Sequence, residues 1–319
     1  MSCELSVVVP VYNEEQNVPE LYSRLTAVLS ATVASYEIVM VDDGSRDRSW
    51  EIVRQLRESD SRVKGVRFSR NFGHQMAFTA GLDHISGEAV VIMDADLQDP
   101  PELIPELVAK WRDGNDVVYA VRAKRQGETF FKLASAAAFY RVLSRMTRVS
   151  IPVDTGDFRL MSRKAVEAFR RLPERHRFTR GLVAWLGYRQ IGVRYIRAPR
   201  LAGETKYPLR KMLRLAGDAI TSFSYVPLRL ASWLGSAIVA ISMVAGAVVL
   251  VSRLQGAGGT GWKLAAAGLA FLSGVQLLGL GAMGEYVGRI HDEAKQRPLY
   301  LVDELLGLTA PEPSTARPH

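Results

Sequence analysis

Asp94-Ala95-Asp96-Leu97-Gln98-Asp99 follows directly on the apolar run Ala89–Met93. Two carboxylates one residue apart at a strand end can both reach a hard divalent cation, and the Gln98 amide adds a neutral oxygen. Asp94, Asp96 and Gln98 are therefore the candidate ligands for Mg²⁺ or Mn²⁺, ions that commonly bridge to substrate phosphates. Alone, Asp-x-Asp is a weak pattern, because exposed acidic turns are common. Here two more strand-like runs end in polar groups, Val9-Pro10-Val11-Tyr12-Asn13-Glu14 and Val41-Asp42-Asp43-Gly44-Ser45. Carboxylates delivered to one rim by three strands repel each other unless a cation or hydrogen-bond donors offset them.

The elements that would position these groups are legible. Leu5–Val11, Tyr36–Val41, Lys64–Phe68, Ala89–Met93 and Asp116–Val121 are short runs rich in β-branched residues, and they read as strands. Val18, Leu21, Leu25, Val28 and Leu29 recur at helical spacing behind Pro19, a residue suited to a first helical turn. Ile52, Val53 and Leu56 repeat the pattern in the next crossover. Such alternation predicts a mostly parallel α/β sheet, with ligands beyond the carboxyl ends of its strands. The first strand–helix turn lacks the glycine-rich dinucleotide fingerprint, and no P-loop is present.

The chain has 319 residues and 35.3 kDa, with 48% hydrophobic and 23% charged residues, which suits a folded protein with a substantial core. Its net charge of +8 and pI near 9.6 suggest a polyanionic partner. The one cysteine, Cys3, excludes an internal disulfide framework and Cys-rich metal sites. A mean hydropathy of +0.01 hides two uncharged stretches, 230–251 and 264–284, of 22 and 21 residues. At about 1.5 Å per residue each reaches roughly 30 Å, the thickness of a bilayer core. The glycine-rich link Ser252–Lys263 makes them a hairpin. Lys206, Arg210, Lys211, Arg214 and Arg229 before it, and Arg289, Lys295 and Arg297 after it, predict that both termini face the cytosol. Leu5–Val11 is too short to be a signal peptide.

Between Arg159 and Arg214 there are 16 Lys/Arg against three Glu, a run that leads into the hairpin and suits phosphate and lipid binding. Leu209, Met212, Leu213, Ala216, Ala219, Ile220 and Phe223 recur at helical spacing, which predicts an amphipathic helix at the membrane interface. His74 has no metal-ligand spacing and reads as a local polar contact. The expected organisation is a catalytic domain over 1–205, a juxtamembrane segment over 206–229, the hairpin over 230–284 and a cytosolic tail over 285–319.

At this level of detail the chain resembles the family 2 glycosyltransferases with the α/β GT-A fold. The motifs above carry the resemblance, with Ser69-Arg70-Asn71-Phe72-Gly73-His74, Asp154-Thr155-Gly156-Asp157-Phe158-Arg159 and Gly203-Glu204-Thr205-Lys206-Tyr207-Pro208. Including the hairpin, the pattern is similar to the polyisoprenyl-phosphate glycosyltransferases and, among them, bactoprenol glucosyltransferases of the GtrB type. The resemblance implies inverting transfer of one hexose, with UDP-glucose the favoured donor, to polyprenyl (undecaprenyl) phosphate by an integral protein of the bacterial inner membrane.

It also implies roles. Pro10, Tyr12, Glu14, Asp42 and Asp43 correspond to the nucleoside-binding group. Asp94 sits beside the diphosphate and metal, and Asp96 and Gln98 are direct ligands. Arg122 matches an arginine that contacts phosphate, and Lys132 more loosely a second basic contact. Asp157 fits an acidic position beside the acceptor, as base or as organiser. Arg159 and Lys206 hold the acceptor phosphate or the leaving diphosphate. A homo-oligomer is expected by resemblance only. A processive synthase lacks support, since no Gln-x-x-Arg-Trp is present. A GDP-mannose or UDP-aminoarabinose donor is the nearer rival, and a non-catalytic scaffold would be expected to have lost the Asp94–Gln98 pattern. A nucleic-acid binder explains the charge but not the acidic strand ends.

Overall fold

The computed structural model describes residues 3–122, 155–175, 177–195, 226–254 and 261–308. Lys132, Lys206 and the amphipathic repeat 209–223 lie outside the described residues.

The five strands read from sequence are all present: β1 (Leu5–Val11), β2 (Tyr36–Asp42), β3 (Val63–Phe68), β4 (Ala89–Ile92) and β5 (Val117–Arg122). Every residue of β1, β2 and β4 is buried, as expected of parallel strands covered on both faces. Three more strands complete the sheet: β6 (Thr155–Ser162), β7 (Gln190–Tyr195) and β8 (Val302–Leu306). The order is β7-β5-β6-β4-β1-β2-β3-β8. β4, β1, β2 and β3 run parallel, and β7 is parallel to β5. β6 lies antiparallel between β4 and β5, and β8 antiparallel on β3, so the sheet is mixed rather than mostly parallel. β6 can occupy an interior position because its charged residues find partners at one end.

Helices α1 (Val18–Thr32), α2 (Ser49–Ser59) and α4 (Ile104–Arg112) accompany one face of the sheet. α1 buries Val18, Leu21, Leu25 and Leu29, the stripe expected from the spacing. On the other face lie α3 (His74–Asp83), α5 (Arg163–Arg170) and α6 (Thr179–Trp185), around Phe78 and Phe169. Pro10 tolerates a position within β1 because the pairing with β4 ends at Val8↔Ile92, so its missing N–H breaks no bond there.

One buried charge ties β1, β2 and β3 together. Glu37 is 3% exposed and accepts from Ser6 Oγ at 2.5 Å, Ser86 N at 2.6 Å and the Lys64 ammonium. Burial pushes its pKa up, but Lys64, Ser6 and Ser86 outweigh this and hold it below the ordinary value. Glu37→Ala should cost about 3 kcal/mol by stranding these donors, read as a fall in the denaturation midpoint. Because the folded pKa is depressed, that contribution is present above about pH 4.5 and is lost as pH falls through the folded value.

The stretches 230–251 and 264–284 fall in two long helices, α7 (Val226–Leu254) and α8 (Gly261–Ala294). The expected crossings are not upheld: among the described residues no helix is long and apolar enough to cross a membrane. Glycine and alanine, which offer little apolar surface, make up ten of the 21 residues of 264–284, and α8 continues into Glu285, Arg289 and Asp292. Residues 302–306, read from sequence as part of a cytosolic tail, instead return to the sheet as β8. Trp50 Nε1 donates to Glu304 at 2.9 Å, Tyr300 stacks on Phe68 at 5.0 Å, and Ser69 N donates to Leu301 O at 3.0 Å.

Candidate active site

The turns after β1 and β2 are stitched to each other. Asn13 takes a left-handed conformation, φ +54°, donates its N–H to Ser45 Oγ at 3.0 Å and accepts from Arg46 N at 2.8 Å. Glu14 N donates to Ser49 Oγ at 2.9 Å, and the Glu14 carboxylate accepts from Asn17 Nδ2 at 2.6 Å. Tyr12 is 37% exposed and open to a stacking partner. Asp42 is fully buried, accepts from Ser45 N at 3.3 Å and lies 3.7 Å from Arg67 Nε; burial pushes its pKa up.

Asp43 turns toward the segment 69–73. Its Oδ1 accepts from Phe72 N at 2.7 Å and Gly73 N at 3.1 Å. Gly44 packs so closely on this segment that a Cβ would lie 2.6 Å from the Arg70 carbonyl carbon. Of the five residues assigned to the nucleoside, Asp42, Asp43 and Glu14 thus also have hydrogen-bonding work within the fold.

Gly73, at φ +101°, precedes α3 and presents His74. His74 Nε2 lies 3.4 Å from Asp94 Oδ1, beyond β4, and 3.4 Å from Asp157 Oδ2 on β6. Burial opposes protonation of the imidazole, but Asp157 and Asp94 outweigh it and lift its pKa to about 9. Arg180, at the start of α6, donates Nε to Asp157 Oδ1 at 3.0 Å. Arg159 is 4% exposed; its Nη2 donates to Gly156 O at 3.0 Å and lies 3.7 Å from Asp157 Oδ1. Burial would raise the pKa of Asp157, yet Arg180, His74 and Arg159 hold it well below the carboxylate range. Arg122, closing β5, lies against Gly156, where an added Cβ would meet its Nη2 at 3.1 Å.

The acidic motif turns at Leu97, φ +58°, where Gln98 N donates back to Asp96 Oδ1 at 3.2 Å. Burial raises the pKa of Asp94 to about 6; His74 opposes this, while Asp99, Asp157 and Asp96 add to it. No three His, Cys, Asp or Glu side chains form a ready metal cage among the described residues. Asp94 and Asp96 nonetheless fit a Mg²⁺-type ion, which commonly takes one or two carboxylates and completes its shell with phosphate and water. The raised Asp94 pKa fits as well, because added positive charge favours the ionised carboxyl.

Asp94, Asp157, Arg159 and Arg122 are therefore brought to one neighbourhood, whereas Pro10, Tyr12, Glu14 and Asp42 belong to the β1–β2 side. Sequence reasoning missed Arg180, whose only signal is membership of the basic run. It treated His74 as a local contact, although it touches two of the assigned acids. It also missed Tyr195, closing β7, which donates to the buried Asp99.

A mixed α/β sheet with an acidic rim at its parallel strand ends and arginines beside it describes a GT-A-like transferase. Residues 6–170 match the family Glycosyl transferase family 2. Over 306 residues, 96% of this chain and 95% of the relative, the sequence is 54% identical to the uncharacterized glycosyltransferase YkcC of Bacillus subtilis. It is 41% identical over 300 residues to the bactoprenol glucosyl transferase of Shigella phage SfV, covering 94% of this chain and 98% of that one. Among solved structures, glucosyl-3-phosphoglycerate synthase from Mycobacterium tuberculosis aligns with a TM-score of 0.46 and 20% identity, over 69% of this chain and 78% of that one. The chain belongs to glycosyl transferase family 2, and it is an enzyme of the glycosyltransferase kind.

Proposed function

We propose that the enzyme transfers one hexose, from UDP-glucose, to the phosphate of a polyprenyl lipid at the cytosolic membrane face. The observation that carries this reading is that His74 joins the Asp94 carboxylate to Asp157, which Arg159 and Arg180 contact, with Arg122 beside the adjoining Gly156. Acids suited to a cation-bound diphosphate stand beside cations suited to a second phosphate. Identity with bactoprenol glucosyl transferases along nearly the whole chain supports the lipid acceptor.

A polyprenyl phosphate is already anionic and needs alignment more than deprotonation. Asp157, held ionised by three cationic groups, suits the part of organiser: it fixes Arg159 and Arg180. Those arginines would orient the acceptor phosphate, and Arg122 would neutralise charge on the leaving nucleoside diphosphate. A divalent cation at Asp94 and Asp96, with Gln98 close by, would supply further charge neutralisation at the diphosphate.

The membrane setting belongs to the same proposal. Trp233, Ile241, Met243 and Val244 on α7, and Leu269, Phe271, Leu277 and Leu280 on α8, are all more than 60% exposed. So much exposed apolar surface is unusual in water and suits lipid or other copies of the hairpin. The cytosolic placement of catalytic domain and termini rests on the basic flanks, and the bacterial inner membrane on the likeness to bactoprenol glucosyl transferases.

The test gives the full-length protein in liposomes undecaprenyl phosphate, Mn²⁺ or Mg²⁺, and one donor at a time: UDP-glucose, UDP-galactose, UDP-GlcNAc or GDP-mannose. Mass spectrometry should find one hexosyl phospholipid, formed from UDP-glucose. A product from another donor would replace the sugar assignment. No lipid product from any donor, despite nucleotide-sugar binding, would overturn the acceptor.

A further inference from the structure

We infer that His74 is a positioning residue that holds Asp94 and Asp157 at a fixed spacing, so that donor and acceptor sides assemble as one site. The inference rests on the reading above and adds to it a residue that sequence reasoning had left as a local contact.

The sheet register creates the need. β4 and β6 pair antiparallel with Val91 opposite Leu160 and Ile92 opposite Arg159. Continued by two residues, that register sets Asp94 opposite Asp157. Like charges directly across a strand pair are destabilising, and a site that needs both carboxylates ionised must hold them against this repulsion. His74 Nε2 stands 3.4 Å from an oxygen of each. Asp94 Oδ1 is buried, with no closer hydrogen-bond donor among the described residues. Asp157 is braced from another side by Arg180, so the imidazole is the group that links it to Asp94.

The placement of His74 is itself built. Asp43 grips the N–H groups of Phe72 and Gly73, the two residues before it. Gly73 adopts φ +101°, a conformation that favours glycine, and so turns the chain into α3 with His74 as its first residue. Gly44 lets the Arg70–Asn71 backbone approach to within the space a Cβ would fill. The Asp42-Asp43-Gly44 turn thus acts on the reacting centre through His74, in addition to any contact with the nucleoside.

The experiment compares wild type with His74→Ala, His74→Gln, Asp157→Asn and the double variant His74→Ala/Asp157→Asn as full-length proteins. Calorimetry reads Mn²⁺–UDP affinity without any transfer, and steady-state assays separate kcat from donor KM. Groups that orient metal-binding carboxylates typically count for 10–100-fold, so His74→Ala should weaken Mn²⁺–UDP by about 10-fold and lower kcat by about 100-fold. Gln, whose amide nitrogen reaches a comparable distance, should recover both to within about fivefold. In the Asp157→Asn background His74→Ala should change Mn²⁺–UDP affinity by less than about twofold, because one of the two opposed charges is already gone.

Wild-type affinity and kcat in His74→Ala would overturn the inference. So would a loss that Gln does not repair, or one undiminished in the Asp157→Asn background, since either would mark His74 as packing. Failure of the functional reading is separable: wild type that binds Mn²⁺–UDP but glycosylates no lipid phosphate removes the acceptor, while the binding comparison still decides the role of His74. Wild type that does not bind Mn²⁺–UDP at all overturns both.

Discussion

Asp96→Asn should leave the protein folded and reduce hexosyl transfer by about 1,000-fold. Asp96 is partly exposed at the rim, and one of its tasks in the fold is to accept from Gln98 N at 3.2 Å. An asparagine side-chain oxygen can keep that bond, so the denaturation midpoint should move by no more than about 1 kcal/mol equivalent. Its negative charge is what the reaction loses. In the proposed reaction that charge would help hold the divalent cation that neutralises the departing diphosphate, and losing one stabilising group in a partly water-excluded site commonly costs about 100- to 1,000-fold. The lipid-product assay reads the rate, and Mn²⁺–UDP calorimetry should show binding weakened in parallel. Transfer within about tenfold of wild type would remove Asp96 from the site.

Replacing Asp157 should have the largest effect on the fold. Asp157→Ala takes the carboxylate away from buried Arg159 and from Arg180 and leaves His74 with Asp94 alone, and removing the partner of a buried charge typically costs about 3–5 kcal/mol. Asp157→Asn keeps the shape and should lose about 2–3 kcal/mol. The pH dependence has a worked direction. Burial raises the Asp157 pKa, but Arg180, His74 and Arg159 depress it below 3.8, so its contribution is present above that value and drains as pH falls through the folded pKa. His74 runs the other way: raised from 6.5 to about 9, it contributes fully below pH 6.5 and loses this as pH rises through 9. The stability difference between wild type and Asp157→Asn should therefore be greatest between about pH 4 and 6.5, shrink as pH rises toward 9 and drain as pH falls below about 3.8. Chemical denaturation from about pH 2 to 10 checks it. A catalytic base would instead give Asp157→Asn a kcat that is lost while stability stays flat across that range.

How far the sequence reaches depends on how each element is stabilised. β1, β2 and β4 are buried on both faces, so solvent exclusion demands unbroken apolar runs such as Leu5–Val11, visible without a structure. β6 is equally buried, yet its sequence contains Asp157, matched by His74 of α3 and Arg180 of α6, and Arg159, matched in turn by Asp157. No local pattern records such pairing. β7 is an edge strand of half-exposed residues, and β8 reads Val-Asp-Glu-Leu-Leu, closer to a polar segment than to a strand. The site divides in the same way. Asp94 and Asp96 could be found because they end a conspicuous strand at ligand spacing. His74 and Arg180 could not be weighted correctly, because a single imidazole or guanidinium gains its meaning only from what the register sets beside it. The strand at 302–306 escapes sequence reading for a further reason: a return to the sheet edge at β3 after two long helices leaves no periodic signal.

That return has a consequence in time. Chain synthesis runs from N- to C-terminus, so β3 forms the sheet margin while α7 and α8 are still being made. Its outward backbone groups, the Trp50 indole and the Ser69 amide wait for residues 301–306, which emerge after the helical pair. The enzymatic half therefore reaches its finished form only after the hairpin has left the ribosome. Completion of the sheet thus waits for residues 302–306: a chain interrupted before Val302 carries every rim carboxylate named above yet has an open margin next to the segment that presents His74. Fragments ending before the hairpin should be sticky, prone to pair edge to edge, and poor surrogates for the whole protein.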